Sequence, residues 1–241
     1  SYKSSLSFYT KISYRHTTDA IIQSLKIDED YIKTRSYINY GSQDFINGDF
    51  TINKRVKNLG LRYNFRAKAS YRTSNSIIQF ELNDVETRTY LVGFSLENNS
   101  KETIDLKTGV NYSVDNTSFS VLPNFNREYL KSHYYIKFDY DISKRLNFNS
   151  QFDYYLYSDN QFESNQIIPF WNASMSYSFS KNQQSILKLL LIDILDENVN
   201  INRRSSLNYF EETTSEMLGR YFILSLTYRL NQRAKKTDPN S

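Results

Sequence analysis

The chain has 241 residues, of which 39% are hydrophobic and 16% aromatic, and its 21 Tyr and 16 Phe far outnumber its 6 Gly and 3 Pro. This composition excludes collagen-like, proline-rich and disordered chains, and the absence of Cys excludes disulfides, thiolate metal sites and cysteine nucleophiles. The 30 basic and 26 acidic residues are interspersed, so the chain lacks the basic footprint of a nucleic-acid-binding protein.

Apolar and polar residues alternate with period two in successive segments of the chain. Strand side chains point alternately to two faces, so this pattern is typical of strands that separate two environments. In the strongest segment, Leu59 to Thr73, the alternation is strict from Leu61 onward. The apolar residues of the segments are, in chain order, Leu6, Phe8, Ile12 and Tyr14; Ile46, Phe50, Ile52 and Val56; Leu61, Tyr63, Phe65, Ala67, Ala69 and Tyr71; Tyr90, Val92, Phe94 and Leu96; Ile104, Leu106, Val110, Tyr112 and Val114; Tyr134, Ile136, Phe138, Tyr140 and Ile142; Leu146, Phe148, Phe152, Tyr154 and Leu156; Trp171, Ala173, Met175, Tyr177 and Phe179; and Phe222, Leu224, Leu226, Tyr228 and Leu230. A tenth segment, Leu187 to Ile192, is apolar on both faces.

These ten segments predict an all-β fold. A helical template fails because apolar residues at i and i+2 would spread around a helix and leave no buried stripe. The longest aliphatic run, Leu189 to Ile192, is also far short of the roughly 18 residues of a transmembrane helix. The segments, about 10 to 14 residues long, match tilted membrane-crossing strands better than the short strands of soluble sheets. We therefore predict a transmembrane antiparallel β-barrel segment of about ten long strands in residues 1–230, followed by a polar carboxy-terminal tail in residues 231–241.

The connectors between the predicted strands alternate in length. The short ones are residues 57–58, 98–102, 143–144 and 181–184, and the long ones are residues 17–41, 74–86, 115–129, 158–166 and 193–216. Outer-membrane barrels have short turns on the periplasmic side and long loops outside, whereas a soluble sandwich gives no reason for this asymmetry. Aromatic residues near the predicted strand ends fit the girdles of such barrels. They are Tyr14, Tyr71, Tyr90, Tyr112, Tyr140, Trp171 and Tyr228.

The last fifty residues carry a family resemblance. The stretch ILKLLLIDILDENVNINRRSSLNY at Ile186 to Tyr209 precedes LGRYFILSLTYRLN at Leu218 to Asn231. Together they resemble the carboxy-terminal end of Bacteroidetes outer-membrane barrels of the TonB-dependent receptor superfamily, which typically read as a strand, a D-L-L-N-x-N element, a long loop and L-G-R-Y-F-x-L-S-x-T-Y-R-F. The fragments YRHTTDAI, NYGSQDFINGDF and YDISKRLNF resemble other strands of this family. The chain departs from the pattern at Leu230, where the family usually has Phe, and in the polar residues that follow it.

The resemblance implies a large barrel closed around an amino-terminal plug. Such receptors import bulky nutrients of the siderophore, oligosaccharide or peptide class, with energy passed from the inner membrane through TonB. The chain is then the carboxy-terminal portion of a barrel in the cell outer membrane, with the lipid bilayer, the missing amino-terminal strands and the plug as its partners. Two alternatives remain open: a self-closed ten-strand barrel that acts as an adhesin or structural protein, and a secreted carbohydrate-binding β-sheet.

Catalytic chemistry is not indicated by the sequence. His16 and His133 are the only histidines, and neither has a Ser or carboxylate partner at a motif spacing. Acidic pairs in the predicted loops, such as Asp196 and Glu197, match no calcium-binding loop. We therefore predict that the protein is not an enzyme and that it has no catalytic residues, no metal site and no cofactor.

Two sets of residues are assigned to the two faces of the predicted sheet. A basic row is expected to face the lumen, where carboxylates such as Asp49, Glu97 and Asp153, a plug or an anionic substrate would be its partners. This row consists of Arg62, Arg66, Lys68 and Arg72. A stripe on the last predicted strand is expected to face lipid. This stripe consists of Phe222, Leu224, Leu226, Tyr228 and Leu230.

Overall fold

The computed structural model of the chain describes residues 5–30, 32–98, 103–161, 165–179, 184–197, 200–206, 209–215 and 218–229. Fourteen strands occur in these residues: β1 Ser5–Thr18, β2 Ile21–Ile27, β3 Lys33–Asn39, β4 Ser42–Val56, β5 Leu61–Ile78, β6 Glu81–Asn98, β7 Ile104–Phe119, β8 Arg127–Ser143, β9 Leu146–Asp159, β10 Gln166–Ser178, β11 Ser185–Ile192, β12 Asn200–Ser206, β13 Tyr209–Ser215 and β14 Tyr221–Tyr228. Short 3₁₀ turns lie at Lys57–Leu59 and Pro123–Phe125. Within the described residues, no helix is long and apolar enough to cross a membrane.

Ten of these strands form one continuous antiparallel meander. Their spatial order is β1, β4, β5, β6, β7, β8, β9, β10, β11 and β14, and we call these ten strands the wall strands. Each wall strand pairs with the wall strand that follows it in the chain. β5 and β6 have 18 residues each, about three times the usual strand length. The predicted all-β fold with about ten long antiparallel strands is confirmed. The four remaining strands form two hairpins, β2 with β3 and β12 with β13, inside two of the predicted long connectors.

The prediction of a long connector at residues 74–86 is wrong. β5 and β6 stay paired through this region, as far as the pair Ile78 and Glu81. The chain then reverses at Gln79 and Phe80, which both have positive φ angles, 51° and 69°. Two successive positive φ angles are the geometry of a tight hairpin turn, normally built from Asn and Gly. Because Gln and Phe are not residues typical of this turn, the sequence pattern could not predict it.

Cross-strand register collects the apolar residues of neighbouring strands on one face. Ile52, Phe65, Phe94, Val110 and Tyr134 lie directly opposite one another across five strands, β4 to β8. The next row on the other face contains Asn53, Asn64, Ser95, Gly109 and Tyr135. We call these two sides of the sheet the apolar face and the polar face.

The apolar face is the exposed one. On inner strands, Phe94 is 41% and Ile136 is 50% exposed on the apolar face, whereas Ser95 and Asp153 on the polar face are only 8% and 4% exposed. Soluble sheets bury their apolar face, so the two faces of this sheet have the opposite arrangement. The apolar side chains therefore do not converge on a central core.

A small enclosed cluster lies at the end of the sheet that carries the two hairpins. β5 extends beyond β4 there, and β2 pairs with it in parallel at Leu25 and Ile78, which are 3% and 5% exposed. The fully buried Asn83 donates a hydrogen bond to Ser76 Oγ at 3.0 Å and accepts one from the backbone N–H of Val121 at 2.9 Å. This satisfied amide fixes the chain that leaves β7 against the β5–β6 hairpin.

Candidate functional site

The predicted basic row lies on the polar face of β5. Arg66 Nη2 and Lys68 Nζ both approach Asp49 Oδ2 on β4, at 3.0 and 3.1 Å. Arg62 Nη1 lies 3.5 Å from Glu97 Oε1 on β6. The structure therefore places two of the carboxylates named in the sequence analysis beside this row. Two cations nevertheless share one carboxylate, which leaves positive charge in excess.

Neighbouring strands extend the basic row into a wider basic wall. Arg72 lies over the ring of Phe45, 5.1 Å from its centroid. Lys11 is opposite Asp49, Arg15 is opposite Phe45 and Arg55 is opposite Arg62. The basic wall comprises Lys11, Arg15, Arg55, Arg62, Arg66, Lys68 and Arg72, and Asp49 is the one carboxylate that β1, β4 and β5 place on this face. The sequence identified only the β5 members because the alternation in β1 and β4 is weaker.

A column of stacked rings occupies the polar face of β8 and β9. The rings of His133 and Tyr155 are 4.3 Å apart and nearly parallel, at 7°. Tyr157 stacks at 6.0 Å from Tyr155 and at 6.1 Å from Tyr129. The rings of Tyr129, Tyr157, Tyr155 and His133 therefore form one continuous stack along the two strands. We call Tyr129, His133, Tyr135, Tyr155 and Tyr157 the aromatic ridge.

Charged side chains hold the aromatic ridge at both ends and in its middle. Arg127 Nε donates a 2.8 Å hydrogen bond to the Asp159 carboxylate, whose side chain is fully buried. Lys131 Nζ lies 5.4 Å from the ring centroids of both Tyr155 and Tyr157, a cation–π arrangement. These contacts reduce the rotational freedom of the rings, so the ridge is a preorganised surface.

Both histidines have carboxylate partners that the sequence spacing did not reveal. His133 Nε2 lies 2.7 Å from Asp153 Oδ1, and His16 Nδ1 lies 2.8 Å from Asp44 Oδ1. Each pair joins residues on adjacent strands, so only the strand register brings them together. Gln151 donates a 2.6 Å hydrogen bond to the other oxygen of Asp153. The imidazole–carboxylate pair on the polar face is therefore part of a hydrogen-bonding surface.

Two glycines on the polar face make room for side chains that lie along the wall. A Cβ at Gly109 would be 2.6 Å from the Tyr135 hydroxyl and 2.8 Å from the backbone oxygen of Phe94. A Cβ at Gly93 would be 2.5 Å from Asn111 Oδ1. The polar face of β6 and β7 is thus low, with the side chains of Tyr135 and Asn111 resting on backbone. We call this strip the floor.

Metal-binding and acidic clusters do not stand out in the described part of the chain. It contains no group of three or more His, Asp or Glu side chains suited to a metal ion. Asp28 accepts hydrogen bonds from the backbone N–H groups of Asp30 and Ile32, at 3.1 and 2.7 Å. Asp196 accepts one from the N–H of Arg220 at 2.6 Å. Asp28 therefore stabilises a local turn, and Asp196 connects the chain after β11 to the chain before β14.

The last-strand stripe lies on the apolar face, at one edge of the sheet. Phe222, Leu224 and Leu226 are opposite the apolar-face leucines of β11, and Tyr228 is opposite Ser185. All four stripe residues are more than 60% exposed. Leu230 and the predicted tail, residues 231–241, lie outside the described residues. Among the described strands, β14 pairs only with β11, and at the other edge β1 pairs only with β4.

Tyr and Trp side chains border the apolar face. Tyr14, Tyr71, Tyr90, Tyr112 and Trp171 lie on the side of the long connectors, and Tyr140 and Tyr228 lie toward the short turns. Beyond the first group the same face becomes polar. Tyr14 donates a 2.8 Å hydrogen bond to Asp44, and Arg88 forms a 2.7 Å ion pair with Glu86. An open cavity of about 270 Å³ beside Arg88 is lined by charged and polar groups.

We predict that Gly109→Ala destabilises the protein by about 1 to 3 kcal/mol because the new methyl group meets Tyr135 and the Phe94 backbone. Gly48→Ala is the matched control: a Cβ there lies no closer than 3.9 Å to another residue. That change should be neutral or stabilise by up to about 1 kcal/mol, because Ala restricts the unfolded chain. The free energy of unfolding, measured by denaturant titration, checks both. Equal effects would contradict the placement of Tyr135 over Gly109.

Comparison with models of known protein families gave no match, and comparison with curated proteins gave no significant match. The functional conclusions therefore rest on the geometry of the two faces.

Proposed function

We propose that the chain is the barrel part of an outer-membrane transport protein that resembles the TonB-dependent receptors of Bacteroidetes and imports a bulky nutrient. The observation that supports this proposal is the arrangement of the two faces. Ten strands of one sheet expose an apolar face on one side and carry charged and polar side chains on the other. Such a sheet suits lipid on one side and an aqueous passage on the other, which is the arrangement of transmembrane β-barrels.

The dimensions of the apolar face support a bilayer as its partner. On β5 the apolar stretch is bounded by Tyr63 and Tyr71. The eight residue-to-residue steps from Tyr63 to Tyr71 span about 27 Å, and the tilt of barrel strands reduces the height they cover. The apolar band of outer-membrane barrels is about 25 Å tall and is flanked by aromatic girdles. Polar residues such as His16 and Asp44 then lie at the level of the headgroups or beyond.

The two edge strands need partners if the sheet is to form a closed barrel. β1 and β14 each have an unpaired edge among the described strands, and open edges are not tolerated in lipid. In the proposed transporter, further strands of the same protein pair with these edges, and a plug inside the barrel receives energy through TonB. The polar face then lines the passage around the plug.

A second candidate is the self-closed barrel that acts as an adhesin or structural protein. One observation favours it: the meander has ten wall strands, so β1 and β14 run in opposite directions and have the relative orientation needed for antiparallel pairing. A carbohydrate-binding secreted sheet is less well supported, because the apolar face mixes its aromatic rings with aliphatic side chains, as in the row of Ile52, Phe65, Phe94 and Val110.

The bilayer contact predicts different tolerance of charge on the two faces. Phe138→Arg should cost about 2 to 4 kcal/mol in lipid vesicles because the guanidinium is placed in the middle of the apolar band. Asn149→Arg is the matched control on the adjacent row of the polar face, where Asn149 already donates a 3.1 Å hydrogen bond to Asp139. The control should cost less than about 1 kcal/mol. The free energy of unfolding of the full-length protein in vesicles decides the matter, and equal costs would argue against the bilayer.

The last-strand stripe predicts a requirement for outer-membrane insertion. Replacing both Leu226 and Tyr228 with Asp should abolish insertion, because two carboxylates would enter the lipid-facing band. Replacing both Ser225 and Thr227 with Asp changes the same strand on its polar face and should leave insertion largely intact. A peptide tag in the long connector at residues 193–220 reports insertion through antibody labelling of intact cells. Normal labelling of the first double variant would refute the lipid-facing assignment.

Cysteine cross-linking distinguishes the transporter from the self-closed barrel. The 241 residues contain no Cys, so the paired substitutions are the only thiols in this part of the protein. We expect that Cys at Phe8 or Ile12 on β1 does not cross-link to Cys at Leu224 or Leu226 on β14, because further strands separate these edges in the proposed transporter. Cys at Phe8 and Ile52, which are opposite in the β1–β4 pair, is the positive control. Efficient β1–β14 cross-linking in the membrane by a short thiol-specific reagent would favour the self-closed barrel.

A further inference from the structure

We propose that the polar face holds an oxyanion site at the short-turn end of β4 and β5, where Arg55 and Arg62 bind a phosphate group. The ligand is inorganic phosphate or the phosphate group of a small ester. The site goes beyond the proposed transport function, because residues of β1, β4 and β5 define it and it does not depend on how the barrel is closed.

Strand register brings two cations together at this site. Arg55 on β4 and Arg62 on β5 are directly opposite each other, on either side of the 3₁₀ turn at Lys57–Leu59. The β-carbon atoms of directly opposite residues are about 4.5 to 5.5 Å apart, and like charges in such a pair repel each other. A bound anion replaces this repulsion with two favourable contacts. The planar donor fork of arginine also matches the oxygen atoms of phosphate.

An open cavity of about 240 Å³ borders both arginines. It is lined by Ser5, Ser7, Asn53, Arg55 and Arg62, which we call the oxyanion site, and this lining contains no carboxylate. Register places the two serines of β1 there, because Ser5 is opposite Arg55 and Ser7 is opposite Asn53. The cavity is therefore a polar recess that a small solute can enter from the polar face.

The polar groups of the oxyanion site are suited to donate hydrogen bonds. Asn64 Nδ2 donates a 2.5 Å hydrogen bond to Asn53 Oδ1, which leaves the Nδ2 group of Asn53 as its donor. Guanidinium groups have donors only, and the hydroxyl groups of Ser5 and Ser7 can donate as well. A phosphate group has several acceptor oxygen atoms in a tetrahedral arrangement. It can therefore accept hydrogen bonds from both strands at once, whereas a cationic ligand would meet two guanidinium groups.

The carboxylate that contacts Arg62 lies outside the oxyanion site. Glu97 is opposite Arg62 on β6, on the side away from Arg55, and it does not line the cavity. The distance from Arg62 Nη1 to Glu97 Oε1 is 3.5 Å, longer than the 3.0 Å from Arg66 Nη2 to Asp49 Oδ2. Tight charge-assisted hydrogen bonds are about 2.7 to 2.9 Å long. Glu97 therefore holds Arg62 loosely, and the guanidinium can contact an anion in the cavity.

The test is isothermal titration calorimetry of inorganic phosphate into the full-length protein in detergent, in about 0.1 M sodium chloride. We expect saturable binding despite the excess of chloride. Glycerol 1-phosphate is the second probe. Tighter binding of inorganic phosphate assigns the site to the free ion, and tighter binding of glycerol phosphate assigns it to an ester. Failure of both probes to bind would overturn the proposal.

Three variants assign the binding to the oxyanion site. Arg55→Gln and, separately, Arg62→Gln should each weaken phosphate binding by about tenfold, because each removes one charged donor fork. Arg72→Gln is the matched control. It removes the same charge from the polar face of β5, about 33 Å along the strand from Arg62, which is about three Debye lengths at this ionic strength. Its affinity should be unchanged, and equal losses in all three variants would show diffuse attraction to the basic wall and overturn the site.

A second readout covers variants of altered stability. Phosphate should raise the urea midpoint of the full-length protein in vesicles, relative to chloride at the same ionic strength, because it binds the folded state. The midpoint of Arg55→Gln should not respond to phosphate, whatever its value in chloride. A response equal to that of the unchanged protein would contradict the proposal.

Two outcomes separate the oxyanion site from the proposed function. A protein that inserts into the outer membrane and binds neither probe refutes the site and leaves the transporter proposal standing. Phosphate binding that Arg55→Gln weakens, in a protein whose β1 and β14 cross-link efficiently, supports the site and counts against the transporter.

Discussion

The ladder of backbone hydrogen bonds across ten strands is the constraint on which the rest of the structure depends. Side chains alternate along each strand, so a slip of one residue between two strands would move every apolar residue to the other face. The register keeps rows such as Ile52, Phe65 and Phe94 in line from strand to strand. Among the described wall strands, the one irregularity of register lies between Asp141 and Ser143, at the end of β8, where it leaves the two faces intact.

Buried polar and charged side chains on the polar face need hydrogen-bond or ion-pair partners within the protein. Buried polar side chains are costly unless they are hydrogen-bonded, and a buried charge is costly unless it is paired. Arg127 with the buried Asp159, and His133 with Asp153, meet this requirement on β8 and β9. On β4 and β5, Arg66 and Lys68 share the carboxylate of Asp49 and are 47% and 38% exposed, so their charges do not need to be paired one to one. This difference gives the polar face two chemically distinct regions.

The two ends of the wall strands also differ from each other. Long connectors at one end contain two hairpins, and one of them, β2 with β3, continues the sheet beyond β4 by pairing with β5. At the same end, aromatic residues give way to ion pairs on the apolar face. The short turns at residues 57–60 and 144–145 lie at the opposite end. The two ends of the wall strands therefore differ, as the two faces of the sheet do. This asymmetry fits the proposed transport protein, which separates outside from inside.

The sequence by itself determined the all-β class, the number of long wall strands and the shared face of the apolar residues in each alternating segment, because the period-two pattern is local to each strand. It also identified the basic row, since four cations alternate within β5. Only the tertiary structure decided which groups meet: the sharing of Asp49 by Arg66 and Lys68, the His133–Asp153 pair, and the stacking of Tyr155 between His133 and Tyr157. The turn at Gln79 and Phe80 was likewise undetermined, because neither residue favours a positive φ. These features depend on the register between strands, which is set by the sum of many pairings and not by the pattern within any one of them.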